Sequence, residues 1–371
     1  MVFKYFGFDK QKIPAIGQGC MGIGGGLNRD TKSDKEYIAS IQHGINLGMT
    51  LIDTAEVYGE GHSEEIVGKA ILGKRSEIFL CTKFSPENNY YSNVIHSCDN
   101  SLSRLKTNYI DLYQIHWPNP LVQLEETLRA MEDLIQEGKV RHIGVSNFSM
   151  KQIYEAKNSL KKTILFSNQV EYNLFDRYIE KSILPYCQQN NMAVIAYSPL
   201  NKGKLNNNHE ILNELSLKYQ KSISQIILNW LIFHKNVIVI PKSANLKHVD
   251  ENAKSADFIM EESDYKIISE KINPHPKLIS PQKICVSTKG YGNRKVYQTL
   301  QEALDNKLSF VPSPSQLANE IKNEDEIKPV RLIRREQKSD EFEFDLVEGR
   351  IRYWAWVIAY GFKKNIPSLI Y

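Results

Sequence analysis

The 371-residue sequence has no apolar run approaching the ~18 residues that a membrane-spanning helix needs. Its opening stretch, Met1 to Lys12, mixes lysine, aspartate and aromatic residues and lacks the apolar segment of a secretory leader, so no leader is expected. Cysteine is scarce. Cys20, Cys81, Cys98, Cys187 and Cys285 are odd in number, widely spaced and without a CxxC pair, which argues against both a structural zinc and a disulfide framework. A reducing cytoplasm is the expected setting. A dominant charge sign is also lacking: 47 Lys+Arg stand against 43 Asp+Glu, a net charge of +4. So mild an excess argues against a nucleic-acid-binding surface. With 42% hydrophobic and 24% charged residues, the chain is neither disordered, collagen-like nor a coiled coil.

What is present is surplus length. One core rarely grows past roughly 250–300 residues, so a second domain is expected. The charge locates it. From Pro274 onward there are 16 basic and 12 acidic residues, whereas the first 273 residues balance at 31 of each. The expected division is a first domain over 1–273, a proline-punctuated linker over 274–281, and a second domain over 282–371.

Along the first 273 residues, short β-rich runs recur about every thirty residues, one βα unit each. They are Ala15–Gly19, Met49–Glu56, Ile78–Lys83, Tyr109–His116, Val140–Asn147, Ser167–Tyr172, Met192–Pro199 and Val237–Ser243. Helical patterns lie between them. In Leu124–Glu137, Leu124, Leu128, Met131, Leu134 and Ile135 share one face and Gly138 is a stop signal. Another helix is expected to start at Ser63 as N-cap, with Glu64 and Glu65 in its first turn. Eight such units predict a (β/α)8 barrel, with a doubly wound sheet as the alternative. The GxGxxG spelled by Gly17 to Gly22 is followed by Ile23 and three glycines, which will not open the helix that a dinucleotide fingerprint requires.

Barrel chemistry collects where strands end. Those ends carry Asp53 (with Tyr58 in the loop beyond it), Lys83, His116, Ser146 and Asn147, Tyr197 and Ser198, and Lys242, while Gln169 lies on the sixth strand. Each alone has a structural explanation as cap, packing group or satisfied core residue. Together they suit one reaction. A phenol with a pKa near 10 is a poor acid at neutral pH, and a neighbouring ammonium lowers that pKa. Lys83 would supply the charge, Asp53 would hold Lys83, and His116 would hydrogen-bond a carbonyl oxygen where negative charge develops. No nucleophile elbow or metal-ligand spacing accompanies the set, so a bound hydride donor is expected.

The segments Asp53–Gly59 (DTAEVYG), Thr82–Lys83, Gln114–Pro118 (QIHWP), Gly144–Phe148 (GVSNF), Ser167–Asn173, Ala196–Leu200 and Ile240–Ser243 resemble the aldo-keto reductase family, in order and in spacing, from about Gly7 to Ile272. The resemblance implies an NAD(P)H-dependent carbonyl reductase with Asp53, Tyr58, Lys83 and His116 as its tetrad, Tyr58 donating the proton. It places Ser146, Asn147 and Gln169 on the nicotinamide carboxamide and Tyr197 against the ring. It places Ser198, Leu200, Gly203, Lys204 and Leu205 along the pyrophosphate. Gly19, Cys20 and Met21 would pass under the ribose beside Asp53. Lys242 and Ser243 would meet the 2′-phosphate, and Glu251 and Asn252 the adenine. Many NADPH-selective members carry an arginine where this chain has His248. Lys242 still favours NADPH, with NADH use open. Trp117 is expected to wall a pocket for an aldehyde or ketone. A redox-sensing binding protein is the alternative from another class.

Beyond the linker, strands are expected at Lys283–Ser287, Pro329–Arg334, Glu343–Val347 and Ile366–Tyr371, and helices at Tyr297–Asn306, Ser315–Lys322 and Arg350–Tyr360. The segment Leu346 to Pro367 resembles the ParB/sulfiredoxin-like fold. That resemblance implies a phosphate-binding corner at Glu348, Gly349, Arg350 and Arg352, where helix N–H groups and arginines attract an anion such as a nucleotide. No cysteine stands in the turn, which disfavours sulfiredoxin chemistry. A nucleotide-binding enzyme, a DNA binder and a purely structural domain remain open.

Overall fold

The structure, a computed structural model, describes residues 1–7, 9–203, 209–272, 276–286, 296–324, 327–335 and 342–370. The chain divides into two compact units, Met1–Asn273 and Pro274–Tyr371.

The first unit opens on an antiparallel hairpin that the sequence reading missed, β1 (Phe3–Phe6) with β2 (Gln11–Pro14). Eight parallel strands follow: β3 (Gln18–Gly19), β4 (Leu51–Asp53), β5 (Phe79–Phe84), β6 (Ile110–Ile115), β7 (Val140–Ser146), β8 (Leu165–Glu171), β9 (Ala193–Tyr197) and β10 (Val237–Val239). Every residue of β5, β6 and β8 is buried, as expected of parallel strands covered on both faces. The sheet closes on itself. Ile16 bridges Val239, the Val239 N–H donates to the Ala15 carbonyl at 2.9 Å, and the Gly17 N–H donates to the Val239 carbonyl at 2.8 Å. Closure makes a (β/α)8 barrel and removes the doubly wound alternative.

Phe6 and Ile13 of the hairpin pack with Leu51, Phe79, Leu112 and Phe166 in the barrel interior. The hairpin thus fills the N-terminal mouth and leaves the strands' C-terminal ends for chemistry. Outside, helix Leu124–Gln136 buries Leu128, Met131 and Leu134 and carries Glu125 and Glu126 in its first turn. Gly138, at φ 73°, ends it. The helix expected from Ser63 begins instead at His62 with Gly61 as N-cap. Ser63 is inside the helix because its hydroxyl has tertiary partners: it accepts from Thr54 at 2.9 Å and donates to the Cys20 carbonyl at 3.3 Å. No helix follows the GxGxxG; the next one begins at Asp34.

The second unit holds a five-stranded sheet in the order β11 (Lys277–Ile279), β15 (Ile366–Ile370), β13 (Val330–Arg334), β14 (Phe344–Glu348) and β12 (Ile284–Cys285). Lys277–Ile279 was expected to be linker. It is an edge strand, antiparallel to β15. Helix Arg350–Tyr360 matches its expected bounds and contributes Tyr353, Trp354 and Trp356 to a core with Val330, Leu332 and Phe344. Among the described residues no helix is long and apolar enough to cross a membrane.

Candidate active site

Four side chains meet at the ends of β4, β5 and β6. Lys83 is fully buried in β5, and a buried ammonium needs partners. It donates to Asp53 Oδ1 at 2.6 Å and to the Thr54 carbonyl at 2.8 Å. The other carboxylate oxygen, Asp53 Oδ2, accepts from Gln169 Nε2 at 2.8 Å. The Lys83 ammonium lies 5.3 Å from the centre of the Tyr58 ring, and the Tyr58 ring meets His116 edge-on at 5.7 Å. Tyr58 stands in a turn that only glycine closes. Gly59 has φ 56°, and a Cβ there would sit 2.2 Å from the Gly24 carbonyl oxygen.

A polar cradle adjoins the four. Ser146 donates to the Gln169 carbonyl at 2.9 Å. Asn147, held at φ 62°, donates through Nδ2 to the His116 carbonyl at 3.1 Å, and its Oδ1 accepts from the Tyr197 hydroxyl at 2.9 Å. The half-buried Tyr197 ring therefore has its hydroxyl tied down. Ser198 follows at φ 49°. Leu200 packs on the core and accepts the Gly203 N–H at 2.9 Å. Lys204 and Leu205 lie outside the described residues. Across the mouth, the Cys20 N–H donates to the Asp53 carbonyl at 2.8 Å, while Met21 is exposed. Gly19, Cys20, Pro241, Ser243, Val249 and Asn252 line a small cavity. Lys242 lies 5.8 Å from the Tyr37 ring centre and forms no ion pair among the described residues. His248 and Glu251 belong to helix Leu246–Lys254, whose N-cap Asn245 accepts the Lys247 N–H at 2.9 Å.

Residues 15–273 match the sequence profile of the Aldo/keto reductase family. The chain belongs to the aldo/keto reductase family. It is 39% identical over 269 residues to the methylglyoxal reductase YeaE of Escherichia coli (strain K12), an alignment that covers 71% of this chain and 93% of that protein. It is 35% identical over 254 residues to a glyoxal reductase of Bacillus subtilis (strain 168), covering 66% and 88%. An aldo-keto reductase of Klebsiella pneumoniae, solved in complex with NADPH, superposes with a TM-score of 0.68 at 35% identity, covering 73% of this chain and 96% of that one. The barrel is an oxidoreductase that reduces carbonyl groups with NADP(H).

The electrostatics of the reductase refine one expectation. Burial pulls the Lys83 ammonium down, but Asp53 and Tyr58 outweigh it and leave Lys83 raised to about 12. Burial pushes the Tyr58 phenol up. Lys83 pulls it down and Asp53 pushes it up again, so the result lies above the ordinary tyrosine value. Lys83 thus acts in the expected direction, but in the protein alone burial is the larger effect. Burial and the Lys83 charge together hold His116 down to about 3, so its imidazole is neutral at physiological pH.

Trp117, expected to wall the pocket, follows His116 in the chain and is 45% exposed. The loops after β4 and β6 also hold two polar groups that the sequence reading passed over, Asn119 and Glu56. Asn119 donates to the Pro86 carbonyl at 2.8 Å. Glu56 Oε1 accepts from the Ser85 N–H at 2.6 Å and from Asn88 Nδ2 at 2.8 Å. The one sequence signal for Glu56 was its place between Asp53 and Tyr58.

In the second unit, strand, glycine and helix occur as expected, with Gly349 at φ 93° as the N-cap. The arginines there face the protein. Arg352 donates to the carbonyls of Lys328 at 2.9 Å and Pro329 at 2.8 Å, and its guanidinium lies over Gly349. Arg350 donates to the Val347 carbonyl at 3.1 Å, and Glu348 accepts from Arg331 at 3.1 Å.

Proposed function

We propose that the barrel reduces small aldehydes and ketones, α-dicarbonyls such as methylglyoxal and glyoxal among them, with Tyr58 as the proton donor. The observation that carries this reading is the meeting of Asp53, Lys83, Tyr58 and His116 at three adjacent strand ends. NADPH, when bound, supplies the hydride. Neutral His116 donates a hydrogen bond to the carbonyl oxygen. The Tyr58 hydroxyl delivers its proton to that oxygen as charge develops there, and Lys83 stabilises the phenolate left behind. Asp53 fixes Lys83, and Gln169 fixes Asp53.

The same residues suit the cofactor. Ser146, Asn147 and Gln169 offer amide and hydroxyl partners for a carboxamide, and the tethered Tyr197 ring offers a stacking surface. Lys242, without an ion-pair partner among the described residues and next to the start of a helix, suits the 2′-phosphate. Lys242→Ala is therefore expected to raise the NADPH dissociation constant about tenfold or more, since a hydrogen bond to a charged group is lost. NADH affinity should hold. Quenching of tryptophan fluorescence by each cofactor measures both, and equal changes would defeat the assignment. Five unpaired cysteines, four of them buried, support a cytoplasmic setting.

For the second unit we propose a ParB/sulfiredoxin-like module in a structural role. The mixed sheet and the strand–glycine–helix corner support the architecture, and the inward-facing Arg352 supports the role. Arg352→Ala is expected to destabilise this unit by roughly 1–3 kcal/mol, because two carbonyls lose their donor. ATP and inorganic phosphate should leave the wild-type melting curve in place; a rise in Tm with either would reinstate the anion site.

A further inference from the structure

The glycines that follow the GxGxxG, Gly24 to Gly26, have no part in the proposed mechanism, yet they lie against the turn that carries Tyr58. The Gly59 N–H donates to the Gly26 carbonyl at 2.9 Å. The Tyr58 and Gly59 carbonyls accept the N–H groups of Ser63 and His62 at 3.2 and 3.0 Å. Gly24 is buried, and a Cβ there would stand 3.0 Å from both His62 Cδ2 and the Ser63 nitrogen. Segment 22–30, the Tyr58 turn and the first turn of helix His62–Ala70 thus pack on one another.

A chain of charged side chains fastens this packing. Arg29, at the end of the segment, forks onto Glu65, with Nη1 donating to Oε1 at 2.9 Å and Nη2 to Oε2 at 2.6 Å. His62 Nδ1 lies 2.9 Å from the same Oε2, and its Nε2 lies 2.8 Å from Oδ1 of Asp34, the first residue of helix Asp34–Asn46. A carboxylate oxygen only accepts, so each of these contacts is a ring N–H donation. The His62 side chain is 1% exposed, and Asp34 Oδ2 lies 4.0 Å from Lys69. The Arg29 hydrogen bonds, with a smaller share from His62, outweigh burial and hold the Glu65 carboxyl down to about 2. Glu65 therefore stays charged at physiological pH, and the fork fixes geometry as well as charge.

We propose that Arg29, Glu65 and His62 are positioning residues for the reduction, clamping segment 22–30 onto the Tyr58 turn and so holding the proton donor in place. They act through the backbone of Gly24, Gly26 and Gly59. Glycine loses more conformational freedom on ordering than any other residue, so a run of three needs an outside fastening to keep one shape. A misplacement of about 1 Å at the reacting group can cost on the order of 100-fold in rate, even when the cause is distant. The proposal rests on the reading of Tyr58 as proton donor and names what holds it.

The test combines hydrogen exchange, read by mass spectrometry, with steady-state reduction of methylglyoxal by NADPH on the full-length protein. The reporter is the peptide containing Gly59, whose N–H is bonded to Gly26. Arg29→Ala alters a partly exposed side chain and should leave Tm near that of the wild type. Exchange of the Gly59 peptide should accelerate by about three- to tenfold, the range for a partly exposed bidentate pair. kcat should fall by about threefold or more while KM for the aldehyde holds. Arg29→Lys keeps one charged contact and should recover part of both losses. Glu65→Gln weakens the hold on Arg29 and His62 together and should do at least as much as Arg29→Ala. The double variant should be no worse than Glu65→Gln alone, because one chain is broken twice.

Unchanged exchange of the Gly59 peptide in Arg29→Ala overturns the clamp. Additive losses in the double variant overturn it as well. Faster exchange with an unchanged kcat, or a loss confined to KM, overturns the positioning role. If Glu65→Gln does not fold, Arg29→Ala decides. Full turnover by Tyr58→Phe would instead overturn the tetrad reading, while the exchange rates still judge the clamp.

Discussion

Replacing Tyr58 with phenylalanine is expected to lower kcat for carbonyl reduction by roughly 10²–10⁴-fold, the usual contribution of a positioned general acid. The ring stays, so its contacts with Lys83 and His116 survive and NADPH should bind as before. The pH dependence follows from the same groups. Reduction needs the protonated phenol. Burial keeps Tyr58 above its ordinary value, so the acid form prevails at neutral pH and is lost only as pH rises past about 10. His116, held down to about 3, and Lys83, raised to about 12, contribute no inflection between. The expected profile for reduction is flat from about pH 5 to 9 and falls beyond. Alcohol oxidation, which needs the phenolate, should rise over the alkaline range where reduction declines. Stopped-flow reduction of methylglyoxal separates the chemical step from binding. A Tyr58→Phe enzyme that turns over at the wild-type rate would end the assignment.

Lys83→Met should damage both stability and turnover. Asp53 is 2% exposed, and its carboxylate would lose the ammonium that balances it. Breaking a buried pair from one side costs about 3–5 kcal/mol. The sign with pH agrees. Because the Lys83 pKa is raised on folding, its stabilisation is complete below the ordinary lysine value and is lost as pH rises through about 12. The double variant Asp53→Asn/Lys83→Met removes both charges, and the new amide oxygen can still accept from Gln169. It should recover most of the stability and little of the activity, since the phenolate still lacks its ammonium. Urea unfolding of the three variants forms the cycle. Additive losses would mean that the pair is not coupled.

The sequence exposed the strand ends well. Asp53, Lys83, His116, Ser146, Asn147 and Tyr197 were legible because each stands at or beside the end of a buried run, and Gln169 because it lies within one, Leu165–Glu171. The shared hydrogen-bond network of this set follows from barrel closure. Burial was not legible: Lys83 next to Tyr58 suggested a lowered phenol, and only three-dimensional enclosure reveals the larger opposing effect. Ser63 looked like a cap because its captors, Thr54 and the Cys20 carbonyl, are distant or backbone groups. Lys277–Ile279 has no alternation of its own and is a strand only by virtue of its partner, Ile366–Ile370. The hairpin Phe3–Phe6/Gln11–Pro14 was hidden for a similar reason. Its two core residues, Phe6 and Ile13, find their neighbours inside a barrel that is not local in sequence. Glu56 was legible as a residue but not as the acceptor that ties the loop after β4 to Ser85 and Asn88.

The seam of the barrel sets an order of events during synthesis. Ile16, just ahead of β3, is among the first barrel residues to be made, yet it bridges Val239, near the end of the unit. Until β10 has left the ribosome, β3 presents an open edge with unmet N–H and C=O groups. Such distant pairing is slow, because a long loop must close before any contact rewards it. The growing chain therefore passes through its most association-prone interval late, with the sheet largely laid down and still unclosed. A chaperone that shields the β3 edge during that interval would raise the yield of folded protein without altering the finished molecule.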